Sequence, residues 1–417
     1  MSAEIPPSSL GRGGPGAGVP GPLAGLKVVE LAHIMAGPVC GLMLADMGAD
    51  VVKVERPEGD DSRRMVPPMV GGESAAFLMM NRNKRGVALD LKQEAGKTAL
   101  MRLLETADIV IENYRLGTME KLGLGYETLR ARNPGLVYVE ISGFGRTGPY
   151  AERAGFDLIA QGMGGLMSIT GEEPGRPPVK VGAPVSDITA GILAAMGALA
   201  AVHRRRETGE GQRVDTSLFE AAITHTYWQS AIAFATGESP GPMGSAHPLN
   251  APYQAFETAD GWINIGAANQ RNWERFVGLI GAPALAEDPR FLTNADRMAN
   301  REMLTEALNA ALRRRTTAEW LAVMEEGGLP AGPVLSIREM QADPQARARG
   351  MVTATEHPVA GTVETLGLPV TFHGTPGSVR CPAPRLGEHT GAVLAEAGFS
   401  GDEIAGMLAS GAAIASD

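Results

Sequence analysis

Asp187 combines a reactive side chain with a distinctive local setting. It follows the constrained apolar stretch at residues 182–186, and the pattern predicts a helix from there to about residue 203. Aspartate and serine are both good helix N-caps, so the residues alone favour capping by Asp187 or by Ser186. A carboxylate shielded from water at a strand-to-helix junction can also act as a nucleophile. Asp157 begins a helical stretch as well, and we expect it to cap that helix.

Polar side chains follow several predicted strands. His33, Arg56, Lys92 and Asn113 each come just after a strand end, and ligands of parallel sheets bind beyond the carboxyl ends of the strands. Their shared position therefore predicts a ligand site. The N-terminal third is also locally basic. Its basic residues are either solvated surface charges or part of a phosphate pocket, and the pocket is chemically reasonable because arginine binds phosphate through two parallel hydrogen bonds. The basic residues are Lys53, Arg56, Arg63, Arg64, Arg82, Lys84, Arg85 and Lys92.

Strands alternate with helices in the first half of the chain. Strands are predicted at 26–31, 50–55, 87–91, 108–113 and 135–142, with helices at 39–47 and 94–107. This alternation predicts a parallel sheet with helices on both faces. Beyond a strand at 212–217 and a helix at 219–235, a hairpin about Asp260 and Gly261 and helices at 272–280, 300–314 and 318–326 indicate a second, smaller domain. Two further strands are predicted at 353–356 and 363–370.

Several common kinds of site are disfavoured. The glycine pattern at residues 11–16 precedes the first strand, whereas a dinucleotide-binding fingerprint follows one. No P-loop, no HExxH metal motif and no GxSxG nucleophile motif occurs, and the seven histidines are scattered. An NAD-dependent dehydrogenase, a P-loop ATPase, a metal centre and a serine hydrolase are therefore disfavoured.

Composition narrows the class further. The chain has 417 residues, of which 44% are apolar, and a net charge of −10, which argues against a general nucleic-acid binder. The two cysteines, Cys40 and Cys381, form no CxxC pair, so we expect a reducing compartment, namely the cytoplasm. The apolar run at 188–202 is shorter than the about 20 residues of a membrane span, so we expect a buried helix and no membrane association. Residues 1–21 lack the apolar core of a secretory signal, and we expect a disordered tail.

Blocks along most of the chain resemble the family III CoA-transferases, the group of formyl-CoA and carnitine CoA-transferases and the related α-methylacyl-CoA racemases. The matching blocks include LAGLKVVELAHIMAGPVCGLMLADMGADVVKVERPEGDD, NRNKRGVALDLK, ENYRLGTMEKLGLGYETL, ISGFGRTGPY, AGFDLIAQGMGGLMSITG, GAPVSDITAG, TGEGQRVD and LGEHT. The resemblance implies an enzyme that moves CoA from an acyl-CoA to a free carboxylic acid, with coenzyme A as substrate and no permanently bound cofactor or metal. Asp187 occupies the position of the aspartate that serves as covalent nucleophile in this family. The implied CoA contacts are His33, Ile34, Met35, Ala36, Arg56, Leu89 to Lys92, Asn113, Tyr114, Arg115 and Lys121.

The resemblance also implies an architecture. It is an α/β fold whose large domain has a Rossmann-like parallel sheet, joined to a smaller α+β domain, in an interlocked homodimer. We expect the N-terminal part of the large domain at 22–210 and the small domain at 226–330. Residues 331–417 are then a linker and a C-terminal segment that returns to the large domain.

Departures from the family pattern bear on the reaction. The racemases use a histidine base where this chain has Phe156, which cannot accept a proton, so a transferase is favoured over a racemase. The glycine-rich loop of formyl-CoA transferase has no equivalent run here, and residues 244–248 are expected to line the site instead. Lys121 stands where some members carry arginine. The acids are expected to be short or dicarboxylic, with Arg146 as a candidate contact. The alternatives are a racemase and a non-catalytic CoA-binding homologue.

Overall fold

The structure is a computed structural model that describes residues 19–416. The predicted N-terminal tail lies outside the described residues, apart from residues 19–21. The strands are β1 (Lys27–Glu30), β2 (Asp50–Glu55), β3 (Met69–Val70), β4 (Glu73–Ser74), β5 (Lys84–Leu89), β6 (Ile109–Glu112), β7 (Val137–Ser142), β8 (Arg213–Ser217), β9 (Tyr253–Glu257), β10 (Trp262–Gly266), β11 (Ala331–Pro333), β12 (Val352–His357), β13 (Gly361–Leu366) and β14 (Ala413–Ile414).

The α-helices follow the same chain order. They are α1 (Ala36–Asp46), α2 (Ala75–Asn81), α3 (Glu94–Glu105), α4 (Thr118–Lys121), α5 (Tyr126–Arg132), α6 (Asp157–Met163), α7 (Val185–Thr208), α8 (Leu218–Thr224), α9 (Tyr227–Thr236), α10 (Gln270–Leu279), α11 (Asn294–Ala299), α12 (Arg301–Leu312), α13 (Thr317–Glu326), α14 (Ile337–Ala342), α15 (Pro344–Ala348), α16 (Thr390–Glu396) and α17 (Gly401–Ser410).

The main sheet has seven strands in the order β14-β5-β2-β1-β6-β7-β8. Its strands pair in parallel except β14, which runs antiparallel to β5 at the edge. The predicted α/β class with a mostly parallel central sheet is confirmed. Helices cover both faces, and this burial explains why the central strands are continuous apolar runs rather than alternating ones.

Small side chains let α1 and α7 pack closely against one face of the sheet. Ala190, Ala194 and Ala198 are fully buried along one side of α7. A Cβ at Gly191 would lie 2.5 Å from the carbonyl oxygen of Ala36, so only glycine fits there. By length and composition α7 could cross a membrane. Its buried alanine face, packed in the core with α1, identifies it as a core helix.

The helix predicted at 219–235 is in fact two helices, α8 and α9. The break falls at His225 and Thr226, where neither glycine nor proline marks a stop. The ring of His225 lies 2.8 Å from the Thr189 hydroxyl of α7, so a contact distant in sequence fixes the end of α8. The hydrophobic periodicity of the segment therefore could not predict the break between α8 and α9.

The chain divides into two compact units. Of the described residues, the first contains 19–164, 182–225 and 344–416, and holds the seven-stranded sheet. The second contains residues 165–181 and 226–343. Our predicted small domain, 226–330, thus differs by the added 165–181 segment and by extending to 343. Residues of α16, α17 and β14 pack in the core of the first unit.

The second unit has its own sheet and core. The strands β9 and β10 form the predicted antiparallel hairpin about Asp260 and Gly261, and β11 joins as a third strand. Capping boxes at Thr293 and Thr316 start two of its helices. Its core centres on aromatic and aliphatic side chains such as Trp273, Phe276 and Leu308, all fully buried.

Candidate functional site

Asp187 lies in the first turn of α7 and is partly buried. Within residues 19–416 no hydrogen bond or ion pair reaches its carboxylate. Burial, and then the negative charge of Asp157, raise the pKa of Asp187 to about 7. A helix N-terminus favours the ionised form of a carboxylate, but burial and the charge of Asp157 outweigh that dipole here. The result is a carboxylate with no hydrogen-bond partner that titrates near neutral pH.

Asp157 fixes the chain immediately before Asp187. Its Oδ1 accepts a hydrogen bond of 2.9 Å from the backbone N–H of Ser186. Its Oδ2 accepts one of 2.8 Å from the side chain of Gln161, one turn further along α6. The same Gln161 amide lies 3.4 Å from the carbonyl oxygen of Ala183. The fully buried Gln161 therefore links α6 to the segment that leads into α7.

The predicted capping of α7 by Asp187 or Ser186 is wrong. Pro184 occupies the N-cap position and makes no side-chain bond. The Ser186 hydroxyl is fully buried and has no hydrogen-bond partner in the described part of the chain. Asp157 serves as the cap from another helix, which leaves the Asp187 carboxylate uncommitted. The predicted capping of α6 by Asp157 is also wrong, because Phe156 is the N-cap residue there.

Four loops that follow strands lie side by side at the carboxyl edge of the sheet. They follow β5, β2, β1 and β6, which are neighbours in that order. Asn113 donates a 2.8 Å hydrogen bond to the carbonyl of His33 and accepts one of 3.0 Å from its N–H. The rings of His33 and Tyr114 lie 5.6 Å apart. A cavity at this edge is lined by His33, Arg56 and Tyr114, so the structure brings these expected contacts together.

The other expected CoA contacts have different surroundings. Ile34 and Met35 complete the loop between β1 and α1, and Ala36 is the buried first residue of α1. Leu89 is fully buried in the core at the end of β5. Three further expected contacts are exposed at the surface and do not line this cavity: Lys92, Arg115 and Lys121.

A buried group of charges that was not predicted from the sequence lies beside this cavity. The Lys53 ammonium lies 2.8 Å from Asp60 and 3.1 Å from Glu30, and Lys84 lies 2.8 Å from the same Glu30. Burial lowers the pKa of Lys84 to about 8. Glu30 opposes this lowering, and the positive charge of Lys53 lowers the pKa further. Charged residues inside otherwise apolar central strands were the available signal, because such charges need partners.

Most of the basic residues in the N-terminal third are engaged by acids of the same chain. Arg82 pairs with Asp46 at 2.6 Å, and Arg85 pairs with Asp50 at 2.6 Å. Arg63 bonds Glu55 at 2.7 Å. These ion pairs argue against the alternative of a phosphate pocket formed by the set as a whole. Arg56, which contacts Asp61 and is half exposed, is the member of the set that lines the cavity together with Lys53.

Arg146 is unsuited to the dicarboxylate contact that we expected. Its guanidinium is buried and lies 2.6 Å from Glu112 and 3.0 Å from Glu140. It also donates to the carbonyl of Tyr114 at 2.9 Å. Burial raises the pKa of Glu112 to about 8, although Arg146 opposes this. Arg146 thus holds the ends of β6 and β7 together rather than facing a substrate.

Phe156 is 70% exposed at the start of α6, where the racemases would carry their histidine. Residues 244–248, expected to line the site, belong to the second unit. There His247 packs edge-on to Trp228 and to Tyr253, with ring centroids 6.0 and 5.2 Å apart.

Comparisons with known proteins agree with this architecture. Residues 23–390 match the family described as CoA-transferase family III. The chain is 42% identical to succinate–glutarate CoA-transferase of Agrobacterium fabrum, over 90% of this chain and 95% of that protein. It is also 42% identical to succinyl-CoA:mesaconate CoA-transferase of Haloarcula hispanica, over 91% and 97%. A crystal structure of a CAIB/BAIF family protein from Brucella suis is 43% identical with a TM-score of 0.82, covering 91% of this chain and all of that one. The chain therefore belongs to CoA-transferase family III and is a CoA-transferase.

Proposed function

We propose that this enzyme transfers CoA from a succinyl-CoA-type thioester to a short dicarboxylic acid. Two relatives support this substrate class, one named for succinate and glutarate and the other for succinyl-CoA and mesaconate. The match to this chain covers 95% and 97% of their respective lengths. The named acids share two carboxylates on a short carbon chain. One carboxylate would form the thioester while the other remains free.

The observation that carries the proposal is the state of Asp187. Its carboxylate is partly buried, has no hydrogen bond within residues 19–416, and lies beside a second carboxylate that opposes its ionisation. Hydrogen bonds would lower the nucleophilicity of a carboxylate, and bulk water would solvate it. A shielded, uncommitted carboxylate is what covalent catalysis by aspartate requires.

The proposed reaction proceeds by four acyl transfers. An oxygen of ionised Asp187 attacks the donor thioester carbonyl, the carbon–sulfur bond breaks, and CoA leaves as thiolate from a mixed anhydride. The thiolate attacks the aspartyl carbonyl of that anhydride and releases the donor acid as a carboxylate. The acceptor carboxylate attacks the resulting aspartyl thioester and expels the thiolate again. The thiolate then attacks the acceptor carbonyl, which forms the new acyl-CoA and restores Asp187.

Each tetrahedral intermediate in this scheme needs a hydrogen-bond donor near its oxyanion. The backbone N–H of Ser186 is bonded to Asp157, and that of Val185 is bonded to Ala183 at 2.9 Å. These two amides of the first turn are therefore occupied in this conformation. An oxyanion donor must come from elsewhere in the site or be released by a local rearrangement.

Coenzyme A is proposed to bind at the carboxyl edge of the sheet. The cavity lined by His33, Arg56 and Tyr114 supports this position, because the half-exposed Arg56 supplies a guanidinium of the kind that binds phosphate. The full set of proposed contacts is that given by the resemblance: His33, Ile34, Met35, Ala36, Arg56, Leu89, Lys92, Asn113, Tyr114, Arg115 and Lys121. The coenzyme is a substrate here, and the scheme uses no further cofactor.

We also propose that the enzyme is an interlocked homodimer. Large apolar side chains are exposed on α7, where Ile192 is 46% and Met196 is 62% exposed. On α9, Trp228 is 60% and Phe234 is 90% exposed. Apolar faces of this kind are usually covered in the working protein. A molar mass near twice the chain mass of 43.6 kDa, measured by light scattering, is expected. A purely monomeric protein at micromolar concentration would contradict it.

A cytoplasmic location is proposed as well. Cys40 is buried and Cys381 is exposed, and both are free thiols. Free thiols persist in reducing compartments.

A matrix of donors and acceptors tests the reaction. Succinyl-CoA and acetyl-CoA are each incubated with glutarate, mesaconate and a monocarboxylic acid, and products are read by mass spectrometry. We expect fastest transfer from succinyl-CoA to a dicarboxylic acid, and none with the Asp187→Asn variant, which should still bind CoA. Full activity of that variant would contradict the covalent scheme. Deuterium uptake at the α-carbon without transfer would indicate the racemase instead.

A further inference from the structure

The backbone of Ile34 adopts a conformation that isoleucine rarely takes. Its φ is 67°, in the left-handed region, where a β-branched side chain is a genuine outlier. Within residues 19–416 the only other non-glycine residue with positive φ is Asn83, and asparagine tolerates this region. Such a conformation persists only where surrounding contacts hold it in place.

The contact that holds Ile34 comes from Asp60. Both carboxylate oxygens lie near the Ile34 nitrogen, Oδ1 at 3.1 Å and Oδ2 at 3.3 Å. Asp60 is itself fixed, since its Oδ1 accepts 2.8 Å bonds from the backbone and the hydroxyl of Ser62. The Lys53 ammonium lies 2.8 Å from its Oδ2. Burial alone would raise the pKa of Asp60, but Lys53 and the Ser62 bonds outweigh it and hold this pKa well below its usual range.

The two residues before Ile34 are held by side chains in the same way. The Lys53 ammonium donates to the Ala32 carbonyl at 2.8 Å. Asn113 bonds both the N–H and the carbonyl of His33. Side chains from β2, from the loop after β2 and from the loop after β6 therefore fix three consecutive residues. This loop borders the cavity at the edge of the sheet.

We propose that Asp60 is a positioning residue for coenzyme binding. By holding Ile34 in its left-handed conformation, it sets the loop of residues 33–36 in its binding geometry before the coenzyme arrives. The conformational entropy of the loop is then lost when the protein folds, so it does not weaken coenzyme binding. This inference rests on the proposed function, because it takes this loop to be a CoA contact.

A double-mutant cycle between Asp60 and Ile34 tests the proposal. Free CoA is titrated calorimetrically into wild type, Asp60→Asn, Ile34→Gly and the double variant. Asp60→Asn should raise Kd about tenfold while kcat at saturating acyl-CoA changes less than about twofold. Glycine adopts the left-handed region without steric cost, so Asp60→Asn should cost less than about threefold in the Ile34→Gly background.

Each outcome decides between the two roles. An unchanged Kd in Asp60→Asn, or equal losses in the two backgrounds, would overturn the positioning role. A wild-type protein that fails to bind CoA would instead contradict the proposed function. If Asp60→Asn does not fold, Ser62→Ala removes one donor to Asp60 and keeps the charge. That variant should raise Kd about two- to threefold, again less in the Ile34→Gly background, and an unchanged Kd would overturn the proposal. The exposed Asp402→Asn, far along the chain on α17, is the matched control.

Discussion

The carboxylate of Asp157 occupies the capping place at the start of α7, with its Oδ1 2.9 Å from the backbone nitrogen of Ser186. The N-cap residue of α7 makes no side-chain hydrogen bond. A side chain from α6 therefore accepts the hydrogen bond from this free N–H of the first turn. The arrangement keeps the next residue, Asp187, free of capping duty and brings a second negative charge near it. Position and proton affinity of the proposed nucleophile thus depend on the same partner.

The charge of Asp157 should be visible in the pH profile of the reaction. The proposed nucleophile acts ionised, so kcat/KM should rise with pH through the Asp187 pKa of about 7. Asp157→Asn keeps a capping oxygen and removes the charge. The acid limb should then move to lower pH by about half to one pH unit, but not further, because burial remains the larger cause. Asp402→Asn should leave the limb in place, and an unmoved limb in Asp157→Asn would refute the assignment.

Replacing Asp187 by asparagine should stabilise the protein at high pH. The folded-state pKa of about 7 lies above the unfolded value of about 3.9. The folded protein therefore binds the proton more tightly, and wild-type stability falls as pH rises from about 4 to 7. The asparagine side chain cannot ionise and escapes this loss, so the thermal midpoint of Asp187→Asn should exceed that of wild type more at pH 8 than at pH 5. Equal differences at both pH values, measured by circular dichroism, would contradict the raised pKa.

Gln161 should matter for catalysis more than for coenzyme binding. Gln161→Leu keeps the approximate volume but removes the amide that bonds Asp157 and approaches the Ala183 carbonyl. A loosened start of α7 misplaces the nucleophile, so kcat should fall about tenfold with a nearly unchanged KM for acyl-CoA. The exposed Gln212→Leu serves as the control. Steady-state kinetics in which KM changes and kcat does not would place Gln161 in binding instead.

Gly41 should be intolerant of even a methyl group. A Cβ at this position of α1 would lie 1.8 Å from Oε2 of Glu30, whose carboxylate is buried between Lys53 and Lys84. Moving Glu30 would disturb both ion pairs, so Gly41→Ala should lower the free energy of unfolding by about 3 kcal/mol. Urea denaturation measures this. Gly406→Ala on the exposed face of α17, where a Cβ meets nothing within 4 Å, should be neutral or slightly stabilising. Equal stabilities of the two variants would contradict the close packing.

The sheet could be predicted from sequence because its determinants are local. Apolar runs near residues 28, 51, 109 and 137 became β1, β2, β6 and β7 with boundaries that differ from the predicted ones by at most two residues. The position of Asp187 in the first turn of a long helix was predictable for the same reason. Its freedom from capping was not, because the cap comes from Asp157, about thirty residues earlier and on another helix.

The buried charges show the same limit. Lys53 and Glu30 each lie in an apolar strand, which signals that each charge needs a partner, but only the register of β1 against β2 shows that they partner each other. The left-handed Ile34 is likewise invisible in the sequence, since isoleucine is the wrong residue for a turn of that kind. Both features depend on contacts between segments that the chain brings together only on folding.

Trapping the covalent intermediate tests the central claim most directly. The enzyme is incubated with succinyl-CoA and hydroxylamine, digested, and analysed by tandem mass spectrometry. Attack of hydroxylamine on the aspartyl carbonyl expels the substrate carboxylate from the anhydride, or the CoA thiolate from the thioester, and leaves a hydroxamate on the aspartyl side chain. We predict that modification at Asp187, with loss of activity in proportion to its extent. Continued turnover with an unmodified Asp187 peptide, or a hydroxamate on a different residue, would contradict the account.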